Sequence, residues 1–474
     1  DDNAPDLHRI HPGPRFVEGP IVEGGIVPNQ PRHDELADLL PHCKGAEQFC
    51  DAGAGLRFPL GRSVAGSQHA DCQEAAGKVT GNGHRRLGAR VGTLLLGLTV
   101  VGCTPHRAPA PVPVPVPVPM PLRPPVLPGI YGLLGDSAHL VRGLRVGLVA
   151  NHAAVDANGA SDVDLLLHAG VKLVALFSPV HGFRGAANPG EAVASTVDSA
   201  TGLPIYSLYG RTSAPTDSML AGIDALLVDL PDVGARYYTY LNTTIEVMKA
   251  GARLGKPVVV LDRPNPIGGL FQGNVLDSAY RSPVGALAMP MRHGLTLGEL
   301  ARLARTELGL RTDLRVVPVA GWRRGEALDQ TGLPFLAPSP NLKDLESLFH
   351  YPGICLFEAT ALSVGRGTDA PFSQIGAPWL DVARVIAAMP ASALTGVRLT
   401  ATKFTPDRPG DGKFDGIALR GIRLTVTDRA TYDPTHTAVA LLVAIRSVHP
   451  DRLGIRAAGF DRLAGLAPAE IQVG

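Results

Sequence analysis

From Gly143 onward, continuous apolar runs alternate with amphipathic stretches, and each apolar run ends in polar residues. "RVGLVANHA" passes from an apolar strand into Asn151 and His152, and "DVDLLLHAGVKLVALFSPVHG" reads as helix, strand and polar loop. "AGIDALLVDLPDVGARYYTYLNTTIEVMKAGARLGKPVVVLDRPNPIGG" repeats that scheme twice. The runs "ALLVDL" and "PVVVLD" show no polar alternation, as expected where helices cover both faces of a sheet. Strand and helix alternate, which predicts an α/β fold built on an open, mostly parallel, doubly wound sheet over residues 129–300. Residues 301–474 mix "YPGICLFEATALSVGRGTDAPFSQIGAPW", strands in "GIALRGIRLTVTD" and a helix at "HTAVALLVAIRSVH". They predict a smaller C-terminal α/β domain whose loops face the first.

In doubly wound folds ligands bind beyond the carboxyl ends of the strands. Here those ends carry Asn151 and His152, then Val180 to Arg184, then Asp229 with Asp232 to Tyr240, then Asp262 to Asn265. Four successive strands deliver polar residues to one rim. In "MRHGLTLGELARLARTEL", Thr296 is placed as a helix N-cap and Glu299 completes a capping box, leaving His293 for ligand contact. The strands are not followed by a GxGxxG or GxxxxGK[ST] loop, so no nucleotide cofactor is expected. HExxH and G-x-S-x-G are absent too, which makes Ser178 and Ser207 poor nucleophiles.

Charge adds little, because a net +1 gives no reason to expect nucleic acid or an acidic partner. The five cysteines contain no CxxC pair, so neither a zinc site nor a disulfide framework is expected. The segment before the fold is more informative. Residues 1–84 show no sustained period of 2 or 3.6 and are expected to form no packed structure, as a disordered extension or as translation from too early a start. In residues 85–103, "HRRLGARVGTLLLGLTVVGCTP" supplies basic residues, a short apolar core and a Val-Gly-Cys ending at Cys103. The core is shorter than the roughly 20 residues needed to span a bilayer, and the order matches a bacterial lipoprotein signal segment. Residues 104–128, with "APAPVPVPVPVPMPLRPPVLP", read as an extended polyproline linker. A membrane-anchored, extracytoplasmic lipoprotein is expected, held through lipid on Cys103 on the periplasmic side.

At the rim loops the chain resembles a known family, the exo-acting β-N-acetylmuramidases of bacterial cell-wall recycling (NamZ type). The resemblance covers roughly residues 141–470 and is carried by "NHAAV", "LFSPVHGFRG", "TGLPIYSLYG", "DVGARYYTYL", "VVVLDRPNPIGG", "MPMRHGLTLGELA", "PSPN", "GRGTDAPF" and "IGAPW". It implies a Rossmann-like domain plus a smaller one, an active cleft between them, and removal of terminal N-acetylmuramic acid from peptidoglycan fragments. The departures are specific. Val180 stands where the family reads the Glu of S-P-E-H-G, its leading catalytic candidate. Val364 stands in place of the Glu of L-S-E-G-R-G-T, and Pro231-Asp232 in place of Gln-Asp.

Glycoside hydrolysis needs a proton donor for the leaving oxygen, and a carboxylate or the substrate's acetamido group at the oxocarbenium-like centre. Valine supplies neither. The remaining rim carboxylates are Asp232, Asp262, Glu191 and Glu358. Asp232, His181, Tyr238 as a proton relay, and His293 are the catalytic candidates. Arg184, Arg236 and Arg366 suit a lactyl carboxylate, since a guanidinium grips a carboxylate at two points. Asn151, Asp262, Asn265 and Glu358 complete the expected binding set. Each has a structural alternative: loop capping for Asp232, turn stabilisation for Asp262, ion pairing for the arginines. Two functions follow, a hydrolase with weakened or altered catalysis and a catalytically inactive lipoprotein that binds muropeptides.

Overall fold

A computed structural model describes residues 124–179, 195–210 and 212–466. Seven strands, numbered in chain order, form the main sheet: β1 (Arg145–Ala150), β2 (Lys172–Ser178), β3 (Thr196–Val197), β4 (Pro204–Ser207), β5 (Ala225–Asp229), β6 (Val258–Leu261) and β9 (Leu314–Val317). They lie in the order β3-β4-β2-β1-β5-β6-β9, and only the β3–β4 pair is antiparallel. Successive side chains of a strand point to opposite faces, so a strand covered on both sides must be apolar throughout. Leu226, Val228, Val258 and Val260 face one buried cluster, with Val247 and Met248 of α4 (Tyr240–Leu254) and Leu297 and Ala301 of α5 (Leu297–Glu307). Leu227, Val259 and Leu261 face the other, with Ile130 and Leu133 of α1 (Gly129–Leu134) and Val163 and Leu166 of α2 (Asp162–His168). The doubly wound sheet is as expected. A single turn, α3 (Asp217–Leu220), is capped by the Thr216 side chain.

Two short strands, β7 (Gln272–Val275) and β8 (Pro290–Arg292), pair antiparallel beside this sheet. The C-terminal domain holds an antiparallel sheet ordered β10 (Gln374–Ala377), β12 (Leu419–Val426), β11 (Val397–Phe404). Around it lie α6 (Leu345–Ile354), α7 (Val382–Ala387), α8 (Pro434–Val448) and α9 (Ala457–Ala464). Ile375, Ile422, Leu441 and Ile445 of this domain belong to the same buried cluster as Val258 and Val260. One apolar core therefore spans both domains. Within it α6 and α8 approach so closely that a Cβ on Gly353 would sit 1.9 Å from the Pro434 carbonyl oxygen. Among the described residues no helix is long and apolar enough to cross a membrane.

Two expected boundaries move. The 300/301 division cuts α5, and β9 beyond it pairs with β6 in the main sheet, so the first domain continues past Val317. "LRVV" is short and half exposed, which hides a sheet-edge strand from a hydrophobicity argument. The linker also ends before residue 128. Val126 is buried, and Leu127 and Ala320 exchange backbone hydrogen bonds of 3.0 and 2.9 Å. Residues 1–84, the 85–103 signal segment and Cys103 lie outside the described residues.

Candidate active site

The chain leaves β1 for β2 on one side, then returns to place β5 on the other, so the sheet reverses direction between β1 and β5. Loops at such a reversal splay apart and leave a crevice. A narrow cleft with about 50 Å³ of enclosed space, open to solvent at its mouth, lies there. Ala153 and Val155 after β1, Pro231 and Asp232 after β5, and Arg263 and Pro264 after β6 line its sheet side. Leu333 to Leu336 and Pro338, from the segment between β9 and α6, line the opposite side with Leu348 of α6.

Asp232 is the cleft's ionisable carboxylate. Its Oδ1 accepts the Gly234 N–H at 2.6 Å, closing a turn in which Gly234 has φ 80°. Any Cβ there would lie 2.7 Å from Asn265 Oδ1, so this turn requires glycine. His293 Nδ1 accepts the Leu295 N–H at 3.2 Å, which leaves the ring proton on Nε2, 3.1 Å from Asp232 Oδ1. The Nε2 approach is too oblique for a hydrogen bond, so the contact is electrostatic. Being 1 % exposed, His293 positions Asp232 instead of meeting a ligand itself.

Arg263, within the rim stretch that follows β6, is the centre of a buried ion-pair cluster. Its Nε and Nη2 donate to Asp229, its Nη2 also to Asp162 Oδ2 at 3.2 Å, and its Nη1 to Val155 O at 2.7 Å. Both carboxylates are fully buried. Burial, then the neighbouring Asp229 charge, push the Asp162 carboxyl well above the ordinary range. The visible signal was an Asp ending each of two adjacent apolar strands, "ALLVD" and "VVVLD", the second followed at once by Arg.

Most other candidates reach the rim but serve the scaffold. Asn151 Nδ2 donates to Tyr240 Oη at 2.7 Å, and its Oδ1 accepts Ala153 N–H at 3.1 Å. Tyr238 is no proton relay: its hydroxyl donates to Pro338 O at 3.0 Å, and burial pushes the phenol well above its usual value. Asp262 accepts Thr296 Oγ at 2.7 Å and Gly298 N–H at 2.8 Å, tying itself to the start of α5, and burial pushes it up to about 6. The Thr296–Glu299 capping box is present as expected. Asn265 donates to Leu295 O at 3.0 Å and accepts Ile267 N–H at 3.1 Å.

The arginines also change role. Arg236 is 1 % exposed and donates to four carbonyls, those of Asn274, Met289, Leu463 and Ala464, each at 2.9 Å. It has no reach to a substrate carboxylate. Arg366 pairs with Glu358 at 2.6 Å and lies over the Phe372 ring. Neither Arg366 nor Glu358 is among the residues lining the cleft. Val364 is 0 % exposed inside the shared core, so this position is a packing site and no wet rim. Val180, His181, Arg184 and Glu191 lie outside the described residues. Among the described residues no group of three or more His, Cys, Asp or Glu side chains is arranged to hold a metal ion.

Fold and cleft define a two-domain α/β protein with a crevice at the switch point of a mostly parallel sheet. Residues 146–346 match the family model of the N-terminal domain of exo-β-N-acetylmuramidase NamZ, and residues 349–473 match that of its C-terminal domain. The chain belongs to the exo-β-N-acetylmuramidase NamZ family, a family of peptidoglycan glycoside hydrolases. Peptidoglycan β-N-acetylmuramidase NamZ of Bacillus subtilis (strain 168) is 42% identical over 346 residues, covering 72% of this chain and 83% of its own. Two crystal structures of DUF1343 family proteins from Bacteroides fragilis are also similar. One has a TM-score of 0.64 at 34% identity, covering 72% of this chain and 89% of its own. The second has a TM-score of 0.58 at 32% identity, with 72% and 88% covered.

Proposed function

We propose that the chain is an exo-acting glycoside hydrolase that releases terminal N-acetylmuramic acid from peptidoglycan fragments, at reduced turnover, in the cleft beside Asp232. The observation that carries this is Asp232 itself, an acid held in place by Gly234 and His293 on the wall of the switch-point cleft. Such a carboxylate supports the oxocarbenium-like centre of glycoside cleavage. The second requirement, a proton donor, is what valine at position 180 cannot meet. The chain is further proposed to work outside the cytoplasm, anchored through lipid on Cys103.

Val180→Glu tests the reading directly. Turnover of a chromogenic N-acetylmuramic acid glycoside is expected to rise by roughly 10²–10⁴-fold, the usual worth of general acid–base catalysis. Asp232→Asn, which retains an oxygen for the Gly234 N–H, is expected to remove that gain. Wild-type turnover indifferent to both changes would reject this reading of the site. The loss of two family glutamates favours the second reading, a catalytically inactive muropeptide-binding lipoprotein. That reading predicts N-acetylmuramic acid binding with no turnover in either the wild type or Val180→Glu.

A further inference from the structure

The cleft has unlike walls. Its two charged side chains, Asp232 and Arg263, come from the sheet loops, where they sit among Ala153, Val155, Pro231 and Pro264. The segment between β9 and α6 contributes only apolar side chains, among them Leu333, Phe335 and Leu336. Arg263 is engaged by Asp229, Asp162 and Val155 O, so it is poorly placed to grip an anionic ligand. Discrimination at this place therefore falls to the apolar wall. Leu336 is 38 % exposed, which leaves apolar surface unspent at the mouth.

That wall is tethered from the site's own elements. The His152 ring, in the loop after β1, donates Nε2–H to Ala337 O at 3.0 Å. Tyr238 and Tyr240, at the start of α4, both donate to the next carbonyl, Pro338 O, at 3.0 and 3.2 Å. Asn151 donates to the Tyr240 hydroxyl at 2.7 Å and so sets its direction. Three polar side chains thus hold two consecutive carbonyls just after Phe335 and Leu336, with Asn151 orienting one of the three. Residues 333–336 are held in register with Asp232 across the gap.

We infer that residues 333–336 form a specificity wall that reads the apolar substituents of the bound sugar, above all its N-acetyl methyl group. This rests on the activity proposed above. N-acetylmuramic acid carries its acetyl and lactyl methyl groups on one edge, together with the lactyl carboxylate. The wall suits the methyl groups, with the carboxylate turned to the open mouth, where it stays hydrated. An N-unsubstituted sugar would bring an ammonium against leucine and phenylalanine, a contact that desolvates charge with no partner. The tethers to Ala337 and Pro338 make Asn151, His152, Tyr238 and Tyr240 positioning residues for this wall.

The test compares two chromogenic glycosides, one of N-acetylmuramic acid and one of its N-deacetylated counterpart, in the wild type, Leu336→Ser and Phe335→Ala. Leu336 is half exposed, so its variant tests contact where Phe335→Ala also risks stability. For the N-acetylated substrate, KM is expected to rise about four- to tenfold in Leu336→Ser, the worth of one or two methyl contacts. Its kcat should hold within about twofold, as when binding common to ground and transition states is removed. For the deacetylated substrate KM should fall, because a serine hydroxyl relieves the desolvated ammonium, so selectivity between the two collapses. Equal shifts for both substrates, or none, would overturn the wall. If the wild type cleaves neither, the activity reading fails, and calorimetric titration with N-acetylmuramic acid decides the wall separately. Weaker binding by Leu336→Ser supports it, while equal binding or none overturns it.

Discussion

Asp262 shows how a residue can look catalytic and be structural. It ends a strand at the ligand rim, but its oxygens are committed to Thr296 and Gly298, and burial raises it to about 6. A raised carboxyl holds its proton in the folded state where the unfolded chain has released it. Stability from this group is therefore greatest below about pH 4 and is lost as pH rises to about 6, on the order of 3 kcal/mol in all. Urea unfolding of the wild type and Asp262→Asn across that range is expected to differ by this slope. Identical pH profiles would mean that Asp262 does not titrate there. The Arg263 triad gives a sharper contrast. Asp229 accepts two of the Arg263 N–H groups and Asp162 one, so Asp229→Asn should cost more stability than Asp162→Asn. Equal losses in chemical denaturation would contradict this division of the pairing.

At the scale of elements, the crossing of α6 and α8 is set by one missing side chain. Gly353→Ala would place a carbon 1.9 Å from the Pro434 carbonyl, and neither backbone can yield without moving its helix. A loss of at least about 1–3 kcal/mol is expected, as for overpacked cores, and an unchanged melting temperature would refute the close approach. The central strands were legible because "ALLVDL" and "PVVVLD" are apolar on both faces, and α5 because its capping box is written in Thr296 and Glu299. β9 was not, since a short edge strand has little apolar surface to declare. Nor was α6, which carries Pro352 inside it. The rim was legible as a place: Asn151, Asp232, Asp262 and Asn265 do end strands or follow them. Their duties were not, because short polar side chains cap turns and helices with the same groups that bind ligands. The wall at Phe335 and Leu336 left no pattern, belonging to a segment without regular structure.

The whole molecule behaves as one body in its described part, because a single apolar cluster runs from the parallel sheet into the C-terminal domain. Differential scanning calorimetry is expected to give one cooperative transition for this region, and two separated transitions would show that the domains unfold independently. The proposed lipid anchor is tested at the same scale. Wild-type protein should partition into detergent with membranes, and Cys103→Ala should release it. Wild-type protein that stays in the aqueous phase would reject the anchor.

Arg236 carries a consequence for how the chain is made. Two of its four acceptors, Leu463 and Ala464, lie 227 and 228 residues downstream. At translation speeds of about 5–20 residues per second, the guanidinium exists for roughly 10–50 seconds before those carbonyls do. Through that interval a cation destined for burial has only half its socket, and water must supply the rest. The first domain, though complete in sequence, cannot close around Arg236 until the final helix docks, so a chain cut short before α9 keeps a wet, open seam that proteases can find.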